Sequence, residues 1–188
     1  MVRLDYKKTR SIVIKFSKLI PKYGDVLDLG CGSGNNSLFL AKRGFKVIAI
    51  DMSSKKLLEL KNEAKKKSLL NKINIINANL NDFKFHKIYS AIISTNTLHF
   101  LQKNKVLEII KNMKNFTIKN GLNIVSVFTK NGQLKSDKIH FFENEELKKL
   151  YNDWEILFYE EKLKPTIEKD FFGNPKKHEV ASIVAKKI

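Results

Sequence analysis

The chain has 188 residues, 43% hydrophobic and 10% aromatic: enough for one domain with its own core, short for two, and too apolar for disorder. Its net charge is +17, yet only Arg3, Arg10 and Arg43 among 36 basic residues are arginine. Arginine is favoured for bidentate contact with phosphates and base edges, so the excess reads as a lysine-rich surface, and nucleic acid is a partner not favoured.

In chain order, Thr9–Ile20 places Ile12, Val13, Phe16, Leu19 and Ile20 on one helical stripe, ended by Pro21 and Gly24. The charges scattered through this start leave no unbroken apolar stretch of about 7–15 residues, as a secretory signal needs. Val26–Leu29 reads as a first buried strand. Gly34–Arg43 reads as a helix with Leu38, Phe39 and Ala41 inward and Gly44 at its C-cap. Phe45–Ile50 is the second strand, and Ser53 caps a helix, Ser54–Ser68, that turns Leu57, Leu58 and Leu60 inward. Ile73–Ile76 and Ile88–Ser94 follow as strands, then a helix over Lys103–Ile118 and, after Gly121, a fifth strand over Leu122–Thr129. The uncharged run Ile88–Gln102 is broken by polar residues and falls short of the ~18 apolar residues of a membrane span. Alternating strands and helices point to a parallel sheet covered on both faces.

The last third changes character. Glu143–Asn152 is a short amphipathic helix, and Trp154 with Leu147, Leu150, Ile156 and Phe158 reads as core. Trp154–Lys162 and Val180–Lys187 are strands separated by a polar loop, Lys164–His178, a pattern expected to add an antiparallel edge strand.

The segment Asp28-Leu29-Gly30-Cys31-Gly32-Ser33-Gly34 joins the first strand to a helix. Its glycines permit a sharp turn and a close ligand approach, and the helix N-terminus adds free N–H groups. A dinucleotide site wants G-x-G-x-x-G, but here the third glycine comes one residue early. An acid two residues before the first glycine repels a pyrophosphate and suits an ammonium. S-adenosylmethionine carries an ammonium, a sulfonium and a ribose diol, with no phosphate. Asp51, at the end of the second strand, is placed to accept both ribose hydroxyls. Cys31 reads as packing or cofactor lining. As the only cysteine it excludes an intrachain disulfide and a cysteine metal cluster. His86, His99, His140 and His178 lack the i, i+4 pairing of a helical zinc site, so no metal is expected.

The stretch VLDLGCGSGNNSLFLAKRGFKVIAIDMS resembles the cofactor half of class I S-adenosylmethionine-dependent methyltransferases. Within them the chain is similar to the tellurite-resistance (TehB-like) methyltransferases, through GSGNNSLFLAKRGFKVIAID, ISTNTLHFL, FFENEELKKLYNDWEILFYEEKL and the tail KKHEVASIVAKKI. The resemblance implies an α/β, Rossmann-like, doubly wound fold: a seven-stranded, mainly parallel sheet with one antiparallel strand near its edge and helices on both faces. It implies S-adenosylmethionine as cofactor and S-adenosylhomocysteine as product. It also implies contacts at Asp28, Gly30, Gly32 and Gly34, Asp51 on the ribose and Met52 beside the adenine. Asn79 and Leu80 fall where the family often places an acid against the adenine amino group; Asn79 is a departure. So are Asn35 and Glu179, at positions where arginine is common in the family.

Methyl transfer from a sulfonium is an in-line displacement, so alignment and desolvation matter more than a catalytic triad. The end of the fourth strand is the expected opening of the site, with Ser94 toward the cofactor, Asn96 and His99 as polar substrate contacts and Phe100 as a wall. His178 is a further substrate-side candidate, and the loop Lys164–Lys177, with Phe171, Phe172, Gly173, Asn174 and Pro175, is either a flap over the acceptor or surface packing. Tyr6 and Phe16 either close over the cofactor or pack. The chain is expected to be one domain, 1–188, with an N-terminal helical segment 1–22, a cofactor half 23–100 and a substrate-side half 101–188. A cytoplasmic monomer or homodimer acting on a small acceptor, such as a metalloid oxyanion or thiol, with no membrane partner, is the expectation. An RNA or protein methyltransferase and a non-catalytic S-adenosylmethionine-binding protein are the alternatives.

Overall fold

The structure, a computed structural model, describes residues 10–188. Seven strands form one sheet: β1 (Val26–Leu29), β2 (Val47–Asp51), β3 (Ile73–Asn77), β4 (Tyr89–Thr95), β5 (Thr117–Gly132), β6 (Glu155–Lys169) and β7 (Pro175–Lys186). Their spatial order is β3-β2-β1-β4-β5-β7-β6. The first five pair in parallel, and β7 is antiparallel to both its neighbours. This is the mainly parallel α/β sheet that the resemblance implies, with one correction to the chain-order reading. The antiparallel strand is not the edge, because β7 slots between β5 and β6. The burial explains why: Val180–Ala185 is buried without a break, whereas β6 carries Glu160, Glu161, Lys162, Lys164 and Pro165. Charges and proline suit an outer strand.

Helices α1 (Ser11–Phe16), α2 (Asn35–Lys42) and α3 (Ser54–Lys66) cover one face, and α4 (Lys103–Asn115) and α5 (Glu146–Lys149) the other. Strand β1 shows how alternation serves both. Val26 joins the core under α2 and α3, while Leu27 and Leu29 join the core under α4. Ser53 caps α3 as expected, its hydroxyl accepting from the Lys56 N–H, and Leu57, Leu60 and Ala64 form the buried stripe. Leu58 is exposed, one position off that stripe.

Several boundaries move. The first helix becomes α1 and a 3-10 turn, Ser17–Leu19. Thr9, where it was expected to start, and Tyr6 lie outside the described residues. Phe16 is buried and packs on Phe158, the packing alternative. Helix α4 stops at Asn115 because Thr117 enters β5, its hydroxyl donating to the Met113 carbonyl, and β5 runs through Gly121. Helix α5 is only four residues long: Glu145 sits at φ +57°, a left-handed conformation that a helix cannot continue through. The expected polar loop Lys164–His178 is mostly ladder, from Leu163 opposite Glu179 to Lys169 opposite Pro175, leaving only a tight turn around Asp170–Asn174. Among the described residues, no helix is long and apolar enough to cross a membrane.

Candidate active site

The sheet order reverses between β1 and β4, and the glycine loop leaves β1 at that switch point, where parallel sheets open a crevice at their carboxyl ends. The Cys31 N–H donates to the Ile50 carbonyl at 2.8 Å, extending the β1–β2 ladder by one residue. The Gly34 N–H then closes a turn onto the Cys31 carbonyl, and the Leu38 N–H bonds Gly34 to begin α2. All three glycines have positive φ. A Cβ on Gly34 would lie 2.2 Å from Leu60 Cδ1, and one on Gly30 2.2 Å from Thr97 Cγ2. On Gly32 it would meet only Lys56 Cδ, at 3.9 Å. Two glycines therefore seat the loop on the fold, while Gly32 presents bare backbone outward.

Two carboxylates flank that backbone. Asp51, at the end of β2, accepts from the Gly32 N–H at 2.8 Å and the Ser53 N–H at 2.9 Å, tying the loop to the start of α3. Asp28 is 1% exposed and accepts from the Ser37 hydroxyl at 2.6 Å. Burial pushes its carboxyl up to about 6, opposed by the Ser37 bond and reinforced by the charge of Asp51. Cys31, in the same loop, is half-buried. Its thiol is pushed far up, first by burial and then by Asp28 and Asp51, and it donates weakly to the Gly32 carbonyl. A thiol held this firmly protonated is no nucleophile. The loop edge thus sets two carboxylates beside bare backbone, a negative setting that favours a cation and opposes a pyrophosphate.

Met52, expected beside the adenine, is 70% exposed next to Asp51 in sequence. Asn79 folds its side chain into a local turn, its amide oxygen accepting from the Asn81 N–H. The Leu80 side chain is buried in the core. Ser94 is buried under the loop, and its hydroxyl donates to the Leu29 carbonyl. It supports the end of β1 from below.

At the end of β4, Asn96 is 6% exposed at φ +55°, with its amide oxygen accepting from the Ser126 hydroxyl and its N–H bonded to the Ser126 carbonyl. Phe100 is partly exposed beside the His99 ring. His99 and His178 are fully buried on either side of Phe128, the His99 ring stacked on it at 4.0 Å and the His178 ring edge-on at 5.1 Å. His178 Nδ1 accepts from the Leu134 N–H and Nε2 donates to the Thr129 carbonyl, so both ring nitrogens serve the fold. His99 Nδ1 accepts from the Phe128 N–H, which places the proton on Nε2, a buried N–H without a hydrogen-bond partner among the described residues. Burial, then His178 and His140, hold the His99 imidazole down to about 3, and burial likewise lowers His178. Both rings are neutral. The fold thus gathers Asp28, the glycine loop, Asp51 and Asn96 at one edge and sets the two histidines apart in a local core.

Four side chains at this edge escaped the sequence reading. Ser37 holds Asp28; Thr97 covers Gly30 and donates to its carbonyl; and Asn36 donates to Thr95 at the end of β4 while accepting from the Arg10 N–H. Asn36 and Thr95 are 59 positions apart, and no local pattern links them. Among the described residues no group of three potential metal-ligating side chains converges.

Known proteins bear on this geometry. The sequence profile of the family described as Tellurite resistance protein TehB matches residues 2–184. A relative from Haemophilus influenzae named as a probable S-adenosyl-L-methionine-dependent methyltransferase TehB is 36% identical over 165 residues, 86% of this chain and 57% of that protein. A protein of Eikenella corrodens named Hemagglutinin 1 is 31% identical over 163 residues, 86% of this chain and 54% of its own. The crystal structure of TehB from Haemophilus influenzae superimposes with a TM-score of 0.87 at 31% identity, covering 96% of this chain and 63% of that one. The chain therefore spans little more than half the length of these curated relatives. On the match across residues 2–184, this chain belongs to the TehB family.

Proposed function

We propose that this chain is an S-adenosylmethionine-dependent methyltransferase acting on a small acceptor. The observation that carries the reading is the bond from the Gly32 N–H to Asp51 at the sheet's switch point, between two carboxylates whose combined field reaches Cys31. Asp51 would hold the ribose hydroxyls, since each carboxylate oxygen accepts one backbone N–H and keeps a lone pair. Gly32 would receive the amino-acid moiety on its bare backbone, in a loop seated by Gly30 and Gly34, with the buried charge of Asp28 favouring the ammonium and Met52 and Asn79 bordering the adenine. The bound cofactor supplies a methyl group already activated on a sulfonium. What remains for the chain is to orient and desolvate the acceptor. Asn96, held by two bonds to Ser126, is the polar side chain we assign to that task.

The acceptor we favour is anionic or soft, a metalloid oxyanion or a thiolate. The half-buried Lys164 on β6, whose charged form burial disfavours, is the cation we assign to that acceptor. A histidine base is not needed for such acceptors, which matches the neutral, inward His99 and His178.

The test is a thermal-shift series with S-adenosylmethionine, S-adenosylhomocysteine and NAD. A ligand at about 100 times its dissociation constant adds about 2.7 kcal/mol of stability. The two sulfur nucleosides should shift the midpoint and NAD should not, and Asp51→Ala should abolish the shift. An unchanged shift in that variant removes the ribose assignment. Lys164→Met should leave the shift intact and raise the KM for an anionic acceptor several-fold; an unchanged KM removes the anionic preference.

A further inference from the structure

The hairpin of β6 and β7 ends in two adjacent phenylalanines that nothing in the described fold covers: Phe171 is 97% and Phe172 84% exposed. They are not on a slack loop. Asp170 accepts from the Phe172 and Asn174 N–H groups through one carboxylate oxygen, and its own N–H bonds the Asn174 carbonyl. The Gly173 N–H closes the turn onto the Asp170 carbonyl, with Gly173 at φ +82°. The two rings meet edge to face at 5.5 Å and 87°. The fold holds a two-ring apolar wedge on a stiff arm, beyond the core and well away from the glycine loop in sequence.

The arm is basic. Residues 162–177 hold Lys162, Lys164, Lys169, Lys176 and Lys177 against Glu168 and Asp170. Glu168 pairs with Lys176, and the Asp170 carboxylate is spent on the turn. Lys169 and Lys177 thus flank the tip without an opposing carboxylate within ion-pair distance among the described residues, on a chain whose net charge is +17.

We propose that this tip is a docking point for an anionic lipid surface. A specific protein interface buries about 800 Å² on each partner, far more than two side chains on a convex turn offer. A bilayer interface needs no complementary pocket: it accepts protruding aromatic rings at the headgroup level, and anionic headgroups attract the flanking lysines. Stacking with nucleic-acid bases requires open ring faces presented in series, and these rings stand perpendicular to each other on a chain poor in arginine. The contact is peripheral, and it is independent of the methyltransferase reading.

The experiment is vesicle flotation of the full chain with phosphatidylcholine vesicles and with the same vesicles containing roughly 30% phosphatidylserine, at low and physiological salt. The expected result is binding to the anionic vesicles at least roughly tenfold stronger than to the neutral ones, weakened by salt. Phe171→Ser/Phe172→Ser should lose roughly tenfold in that binding at an unchanged melting midpoint. Phe172→Trp should bind as the parent does and gain a blue-shifted emission on vesicles. Equal binding by the double variant and the parent overturns the proposal, because the lysines alone would then suffice. So does absence of vesicle binding, whether the tip then proves to hold a dimer, seen as a monomeric double variant, or a single-stranded RNA.

Discussion

The two sides of the candidate site bury polar groups in opposite ways. At the glycine loop, burial works against the charge: Asp28 is pushed up to about 6, held by the Ser37 hydroxyl alone while the neighbouring Asp51 repels it. Around Phe128, burial works with the neutral state: His178 spends both ring nitrogens on backbone groups, and His99 spends its acceptor on the Phe128 N–H. A charge buried at a cost that the fold does not offset points to a ligand. A group whose protonation state suits its own surroundings is architecture.

The largest test of that contrast is Asp28→Asn. A rise from 3.8 to about 6, at about 1.4 kcal/mol per pKa unit, means the ionised carboxylate costs on the order of 3 kcal/mol near pH 7.5. The amide still accepts from Ser37, so the ligand-free variant should be more stable than the parent by roughly that amount while losing the S-adenosylmethionine shift. The sign fixes the pH window. The native carboxyl takes up its proton below about 6 and the unfolded one only near 3.8, so the parent gains on the variant as pH falls, and the two converge near pH 4. Urea titrations at several pH values measure this. A variant less stable at pH 7.5 would erase the contrast.

How much of this was legible in sequence follows the same divide. From β1 to α3, strand, loop and cap are written in local signals: four consecutive buried residues, glycines at alternate positions, a serine before a helix. Those boundaries hold within two residues, while the inward registers shift: Leu40 is fully buried in α2 where Leu38 and Phe39 are half-buried, and Leu58 is exposed in α3. The second half rests on distant pairings. That β7 enters between β5 and β6, and that Lys164–Lys169 is strand, depends on ladders formed along an edge where polar residues are tolerated. The places of Ser94 and His178 likewise depend on carbonyls 65 and 49 positions away. Residue type marked them as site candidates; only their partners show what they hold.

Gly34→Ala tests the loop side next. A methyl group 2.2 Å from Leu60 Cδ1 at φ +77° meets both backbone strain and overpacking, about 2–4 kcal/mol together in urea unfolding. Adding Leu60→Ala should not restore stability, since it relieves the clash but opens a cavity and leaves the φ strain. Gly32→Ala carries the strain alone, its Cβ space being open, so it should cost about 1–2 kcal/mol and harm cofactor binding more than its stability loss explains. If the two variants weaken the cofactor equally, the distinction between seating glycines and a ligand-facing one is lost.

The test whose starting difference at pH 7.5 is smallest, with its signal in the slope, lies in the acid arm of the stability curve. The unfolded His99 imidazole protonates near 6.5, whereas the native ring resists to about 3. Its contribution is therefore fully present above pH 6.5 and declines as pH falls, by about 1.4 kcal/mol per unit, opposite in sign to Asp28. His99→Gln keeps an acceptor for the Phe128 N–H but loses the stacked ring, so it should start about 1 kcal/mol lower at pH 7.5 and fall less steeply between pH 6 and 4. Parallel slopes in parent and variant would mean that the native ring takes up its proton freely. His99 would then be reachable from solvent, and the acceptor side would be an open pocket instead of a local core.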